Sequence, residues 1–298
     1  MKKLALCAMV LYSCVAAYGA DLHVPEEIIG AETVAVINLN VSALKPDQLV
    51  KTMTDIMGKA PEAAQADQLK DFVGKFTAAG GKTISLVANG SKDQNAVKNG
   101  DTAVMVIELA AGADVAKFTE FSNTALAFLK DGAAPECPKT VGGKLVWYSK
   151  NFKLPPQNKE RADTFSVAHG EVAEDQLLCI VVVPDATTLD AAKGSVKPED
   201  AEVVAAILGG GGICLFSNFG VADAPTIKVL CLAADVKGAE AINKAIETGL
   251  ATLKKDAPPQ LKTLMDGLKL AQVGTNVQFT VSIVEWAKIA VELAGMKQ

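Results

Sequence analysis

The feature that most constrains this fold is an internal duplication within the 298-residue chain. The segment Ile84–Asn89 matches Ile213–Asn218 in an Ile-x-Leu-x-x-Asn pattern. Further matches follow in the same order: a Leu-Ala-Ala motif, the end of an alanine-rich stretch and a Val-Gly turn, at Leu109 and Leu232, Lys130 and Lys254, and Val141 and Val273. Because all of these matches keep one order, the sequence predicts two diverged copies of a single unit.

Each copy has the pattern strand, helix, strand, strand, helix, strand. The predicted strands of the first copy are Val34–Leu39, Thr83–Ala88, Thr102–Leu109 and the hairpin 141–148, with helices over 46–79 (interrupted at 58–61) and 113–130. Those of the second are Leu177–Val183, Ile213–Phe216, Ile227–Ala233 and 270–283, with helices over 198–208, 238–255, 259–268 and 284–294.

This order predicts an α+β fold of two tandem ferredoxin-like βαββαβ units with mainly antiparallel sheets. The first unit covers residues 31–153 and the second 164–298, with a proline-containing linker over 154–163. The two units should superpose with Ile84 on Ile213, Asn89 on Asn218 and Leu109 on Leu232.

The run Leu177–Val183 is apolar on both faces of the predicted strand. A sheet with one face in water alternates apolar and polar residues, so both faces of this sheet should be covered. We therefore expect the side chain of Val182 to be buried, by the other unit or by a neighbouring element.

Residues 1–20 have the pattern of a signal peptide. Lys2 and Lys3 precede an apolar run, and small residues allow cleavage after Gly19. Cys14 lies in a loose lipobox, so a lipid anchor is a minor alternative. The pattern predicts export to the periplasm or the extracellular space.

Charge and hydropathy exclude several classes of partner. Without Lys2 and Lys3, the 29 basic residues fall to 27 against 34 acidic residues. This negative balance argues against nucleic acid or an anionic lipid surface as the main partner. No later stretch contains the run of about 18 uncharged apolar residues that is needed to span a bilayer. Peripheral membrane association stays open.

Motifs that carry chemistry are scarce. The chain has two histidines, His23 in the N-terminal arm and His169, and a histidine-based hydrolase would use His169. No Gly-x-Ser-x-Gly motif accompanies it, and Ser166 should point to the opposite face of an extended segment. The segment Gly80–Thr83 resembles the end of a phosphate-binding loop, but Phe76 stands where that motif needs glycine. The sequence predicts no catalytic, cofactor-binding or metal-binding residue, and no cofactor.

Four cysteines follow the signal peptide: Cys137, Cys179, Cys214 and Cys231. An even number in an oxidising compartment suggests disulfides. However, the first copy has no cysteine at the aligned positions. Val34, Ser85 and Glu108 of the first copy align with Cys179, Cys214 and Cys231 of the second. Buried thiols are therefore slightly favoured over one cross-strand bridge. Asn89 and Asn218 are interpreted as turn residues at strand ends.

The chain resembles a loose class of exported bacterial proteins known only as domains of unknown function. The features that carry the resemblance are the signal peptide, Pro25-Glu26-Glu27 before the first strand, the hairpin strand 274–281 and the terminal helix. The resemblance implies an envelope or periplasmic location and assigns no site residues.

The leading functional hypothesis is a non-enzymatic envelope or periplasmic protein that binds a partner or scaffolds an assembly. A periplasmic solute-binding protein with a ligand cleft between the two units is the alternative. A hydrolase that uses His169 is a third hypothesis.

Overall fold

The computed structural model describes residues 23–57, 60–90, 102–125, 139–148, 156–170, 176–184 and 212–287. Its strands are β1 Thr33–Leu39, β2 Gly81–Asn89, β3 Ala103–Leu109, β4 Lys139–Val141, β5 Lys144–Tyr148, β6 Leu178–Val182, β7 Gly212–Ser217, β8 Thr226–Leu232, β9 Ala271–Val273 and β10 Asn276–Ser282. Its main helices are α1 Pro46–Met57, α2 Ala63–Ala78, α3 Val115–Ala125, α4 Lys159–Gly170, α5 Val236–Asp256 and α6 Pro259–Asp266.

The strands form one sheet of 10 strands in the order β4-β5-β3-β2-β1-β6-β7-β8-β10-β9. All the strand pairs are antiparallel, including β1 with β6 at the centre. Read outward from that centre, each half repeats the same strand order. The prediction of a mixed α+β fold with a mainly antiparallel sheet is therefore confirmed.

The ferredoxin-like arrangement is not confirmed. Strands that flank a helix in a split βαβ unit run parallel, whereas β1 and β2 are adjacent and antiparallel. The reason is that two helices, not one, connect them. Asp47 Oδ1 at the start of α1 lies 2.6 Å from Lys70 Nζ, at the middle of α2. The second helix therefore brings the chain back to the end of the sheet where β1 finishes.

The strand registers relate the two halves residue by residue. Ile37 pairs with Ile180 at the middle of the β1–β6 ladder, so these two residues occupy equivalent positions in the two halves. Leu39 and Val182 each lie two residues further along their strands and are therefore equivalent as well. Leu39 pairs with Ile84, and Val182 pairs with Ile213. The ladders therefore place Ile84 and Ile213 at equivalent positions, as the sequence predicts. Asn89 and Asn218 follow at the same distance along the chain.

In the third strand of each half the sequence alignment is wrong by one residue. Ile84 pairs with Ile107, and Ile213 pairs with Cys231. Cys231 is therefore equivalent to Ile107, and Leu232 is equivalent to Glu108 instead of Leu109. By the same ladders Cys179 corresponds to Val36, whereas Cys214 corresponds to Ser85 as predicted.

The two faces of the sheet are covered by different elements. On one face α2 and α3 pack against Ile107 and Leu145, and α5 packs against Cys231 and Val277. We call this the helical face. On the opposite face an apolar core includes residues from most strands, α4 and the N-terminal arm, among them Val36, Val106, Val181, Phe216, Phe165 and Ile29.

The expectation that Val182 is buried is wrong. Val182 is 37% exposed on the helical face, whereas its neighbour Val181 is 0% exposed on the other. The apolar run has two apolar faces, as predicted, but at Val182 only one of them is fully covered.

Contacts across the centre join the halves into one body. Arg161 on α4 donates from Nε to the Thr33 carbonyl at 2.6 Å and from Nη2 to the Val183 carbonyl at 2.5 Å. At the other end of the ladder, the Lys45 N–H donates to the Gly220 carbonyl at 2.9 Å. Arg161 therefore contacts the ends of both central strands, and Lys45 of the first half contacts Gly220 of the second directly.

Several predictions concern residues outside those described: Cys137, the helix over 198–208 and most of the terminal helix. The helix α4 begins at Lys159, inside the predicted linker. The division into units at 31–153 and 164–298 stays a prediction. No described helix has the length and hydropathy needed to cross a membrane.

Candidate functional site

The first half carries a group of polar side chains on the face opposite the helical face. Thr83 and Ser85 share one side of β2, and Thr83 pairs directly with Glu108 on β3. His23 and Lys82 reach the Glu108 carboxylate. We call His23, Lys82, Thr83, Ser85 and Glu108 the polar centre.

Glu108 is the charged group around which the polar centre is built. Its Oε2 lies 2.6 Å from His23 Nδ1, and its Oε1 accepts a hydrogen bond from Lys82 Nζ at 3.1 Å. The hydrogen bond with His23 lowers the pKa of Glu108 to about 2, against the opposing effect of burial, and Lys82 and Lys144 add to the lowering. Glu108 therefore stays ionised at all ordinary pH values.

His23 is held in place by the N-terminal arm, residues 23–30. Val24, Ile28 and Ile29 are buried in the core of this face, and the Ile29 carbonyl accepts a hydrogen bond from the Asn158 N–H at 3.0 Å. His23 itself is buried and has a φ of 52°, in the left-handed region. A non-glycine residue keeps that conformation only where its surroundings fix it, which here include Glu108.

Lys82 reaches Glu108 because the strand is irregular at that point. The register of β2 with β3 shifts between Gly81 and Thr83, so Lys82 is an extra residue in the ladder. In a regular strand the side chain of Lys82 would point away from the face of Thr83. A bulge redirects a side chain in this way, and bulges are common beside functional sites.

The two hydroxyls of the polar centre are buried deeply. Thr83 is 1% exposed and Ser85 is 0% exposed. Neither Thr83 Oγ1 nor Ser85 Oγ has a hydrogen-bond partner among the residues that the structure describes. Most buried polar groups in folded proteins are paired, so two such hydroxyls on one strand face are unusual.

The residues singled out in the sequence lie elsewhere. Ser166 is exposed on the helix α4, where an extended segment was expected, and the side chain of His169 lies outside the described residues. Gly80 ends α2 and Gly81 begins β2, so this glycine pair leads from a helix into a strand, the reverse of a phosphate-binding loop. None of these residues belongs to the polar centre.

The two recurring asparagines act at strand ends, as predicted. Asn89 Oδ1 accepts a hydrogen bond from Thr33 Oγ1 at 2.8 Å, and Asn218 Oδ1 accepts one from the Thr226 N–H at 2.7 Å. Both interactions are local to the sheet margin.

The described cysteines, Cys179, Cys214 and Cys231, are buried, and none of them forms a disulfide with another of the three. Cys214 lies on the face of the polar centre, whereas Cys231, one strand away, lies on the helical face. Cys179 and Cys214 share a face but are diagonal neighbours. Diagonal Cα atoms lie about 7–8 Å apart, beyond the range of an unstrained disulfide. Burial also raises the pKa of the Cys231 thiol.

Sequence analysis missed the polar centre because its residues are far apart in the chain. One local sign was available: Glu108 places a carboxylate in the apolar strand Ala103–Leu109. Its partners His23 and Lys82 become visible only when β2, β3 and the arm come together. Within the described parts of the chain, no group of side chains is arranged to hold a metal ion.

A second feature lies on the helical face, at the centre of the sheet. Leu86, Ile37, Ile180 and Leu215 form a row of directly paired residues across β2, β1, β6 and β7, with Val182 beside them. Ile180 is buried, the other three are partly exposed, and Val182 is exposed. We call these five residues the central strip. It is an apolar surface at the junction of the halves.

Comparison with protein-family models, curated proteins and solved structures finds no match to this chain.

Proposed function

We propose that this chain is an exported, non-enzymatic protein of the bacterial envelope that binds a partner protein or scaffolds an assembly. We further propose that its two halves are tandem copies of one unit. The observation that carries the functional proposal is the central strip, a row of apolar residues in which Ile180 is buried, Leu86, Ile37 and Leu215 are partly exposed and Val182 is 37% exposed. Contiguous apolar surface on a folded protein favours association with another protein.

The build of the molecule supports a scaffold. A solute-binding protein that closes on its ligand needs its two halves to move. Here the halves share a ladder of residue pairs between β1 and β6, and Arg161 donates to carbonyls on both sides of it. A rigid sheet of this kind holds the central strip in one shape.

The polar centre also favours binding over catalysis. The carboxylate of Glu108 is engaged by His23 and Lys82. A nucleophile needs an adjacent base, and neither Thr83 Oγ1 nor Ser85 Oγ has a hydrogen-bond partner among the described residues that could act as one. If a hydrolase activity were nevertheless found, His169→Ala would test the proposed role of that histidine.

Site-specific cross-linking tests the partner surface. A photo-reactive residue at position 86 of the full exported protein should give a defined cross-linked product in intact cells, which mass spectrometry can identify. Val182→Asp places a charge beside this position and should remove most of that product. Because Val182 is already exposed, the variant should keep the wild-type far-ultraviolet circular dichroism.

A matched control uses the same substitution on another exposed valine. Val273 on the edge strand β9 is 61% exposed and lies far from the central strip. Val273→Asp should leave the cross-linked product unchanged. A product that survives Val182→Asp, or that Val273→Asp removes equally, would contradict the proposal. A cross-link to a second copy of the chain would identify the assembly as self-assembly.

A further inference from the structure

The repeated halves provide an internal control for the polar centre. At equivalent ladder positions, Thr83, Ser85 and Glu108 of the first half correspond to Gly212, Cys214 and Leu232 of the second. At these three positions the second half has a glycine, a thiol and an aliphatic side chain, and it nevertheless forms the same strands. The fold itself does not require hydroxyls or a carboxylate at these positions.

The polar residues in the first half are unfavourable for folding. A buried hydroxyl without a partner loses its hydrogen bonds with water and gains none in return. Thr83 and Ser85 are both in this condition. Departures from the rules of stable folding concentrate at functional sites, so these two side chains indicate a binding role.

The bulge in the first half lies at the same place. The β2–β3 ladder shifts its register beside Lys82, between Gly81 and Thr83. The irregularity turns the ammonium group of Lys82 towards the face that carries the hydroxyls. The hydroxyls and the carboxylate, which the second half lacks at equivalent positions, therefore lie beside this bulge.

The charges at this place favour a negative ligand. Lys82 and Lys144 lie around the carboxylate of Glu108, which His23 also contacts. This local excess of positive charge stands out in a chain with 29 basic and 34 acidic residues. Hydroxyl donors beside ammonium groups are a common means of binding carboxylates and phosphates.

We propose that the polar centre is a binding site for a small anion of the carboxylate or phosphate class, bound by the Thr83 and Ser85 hydroxyls and by Lys82 beneath the N-terminal arm. The site goes beyond the proposed partner binding and lies on the opposite face of the sheet from the central strip. Either proposal can fail without the other.

Titration of the full mature protein with defined anions tests the site. Inorganic phosphate, acetate and succinate are compared with glycerol and with choline chloride at matched ionic strength, by isothermal titration calorimetry and by thermal melting. We expect saturable heat and a rise in melting temperature with at least one anion and with neither control. The comparison of phosphate with acetate and succinate shows whether the site prefers a phosphate or a carboxylate.

Substitutions separate binding from folding. Ser85→Ala and Thr83→Val remove the hydroxyls and should weaken anion binding at least tenfold, while the ligand-free protein melts at the same or a higher temperature. Lys82→Gln, at a partly exposed side chain, should weaken binding with little change in melting temperature. The matched control is Cys214→Ser, which puts a hydroxyl at the equivalent position of the second half. It should leave anion binding unchanged.

Two results would overturn the assignment. One is the absence of saturable binding by phosphate and by both carboxylates. The other is anion binding of wild-type strength in Ser85→Ala, Thr83→Val and Lys82→Gln, because the effect would then be one of salt on the whole protein. A saturable response to glycerol alone would overturn the choice of an anion.

Discussion

Val181 and Val182 are neighbours on β6 whose side chains lie on opposite faces, and this difference gives a sharp test of the fold. Val181 is 0% exposed between its strand partners Val36 and Cys214, whereas Val182 is 37% exposed. We expect Val181→Asp to unfold the protein or leave it marginally stable. We expect Val182→Asp to keep it folded.

The magnitude follows from burial. Removing a fully buried valine side chain forfeits about 1.5–3 kcal/mol of transfer free energy. An unpaired carboxyl group in its place adds a penalty of several kcal/mol, even if it takes up a proton. Together these approach or exceed the lower part of the range of about 5–15 kcal/mol typical of domain stability. At Val182 water reaches the new carboxylate, so we expect a loss below about 1.5 kcal/mol.

Urea unfolding followed by circular dichroism measures both variants against the wild type. The two curves should differ by more than about 2.5 kcal/mol in the free energy of unfolding, the difference between the two expected losses. If Val181→Asp unfolds at the urea concentration of the wild type, the assignment of Val181 to the covered face is wrong. If both variants are equally destabilised, the helical face is covered at Val182 as well.

Three further outcomes are expected. The pKa of Glu108 is lowered from 4.5 to about 2, so the stability that its carboxylate contributes is present above pH 4.5 and is lost as the pH falls towards about 2. The full shift corresponds to about 3 kcal/mol, and solvent screening should reduce this by about half. Glu108→Gln should therefore flatten this part of a curve of unfolding free energy against pH. Arg161→Lys should lower the free energy of unfolding in urea by about 1–3 kcal/mol, because lysine cannot reach both carbonyls with a planar fork, and an unchanged value would show that α4 does not hold the halves together. Thiol titration of the denatured protein without reductant should find Cys179, Cys214 and Cys231 all reactive, and mass spectrometry that found two of them linked would refute the strand registers.

The repeat and the strands could be predicted from the sequence because both are local patterns. The β-branched run of β1 and the Ile-x-Leu pattern of β2 and β7 identified their strands to within two residues at each end. Strand order could not be obtained in the same way. It depends on whether the segment 46–79 is one helix or two. One helix between β1 and β2 would make these strands parallel, whereas two helices make them antiparallel. The interruption at 58–61 is visible in the sequence, but the direction in which the second helix runs is not.

The polar centre was beyond the reach of sequence reasoning for a different reason. His23 and Glu108 are 85 positions apart in the chain, and the link between them depends on where the arm lies across the sheet. The one-residue error at Leu109 also reflects strand pairing that the sequence does not show. The Leu-Ala-Ala match aligns Leu109 with Leu232, whereas the ladders pair Ile84 with Ile107 and Ile213 with Cys231.

The pairing of β1 with β6 has a consequence for how the sheet depends on dilution. A ladder of five residue pairs between two separate polypeptides would dissociate as their concentration fell, because association between molecules follows mass action. Here both strands belong to one polypeptide, so each meets the other at an effective concentration set by the intervening chain. The pairing of β1 with β6 at the middle of the sheet therefore forms equally well at low and at high protein concentration.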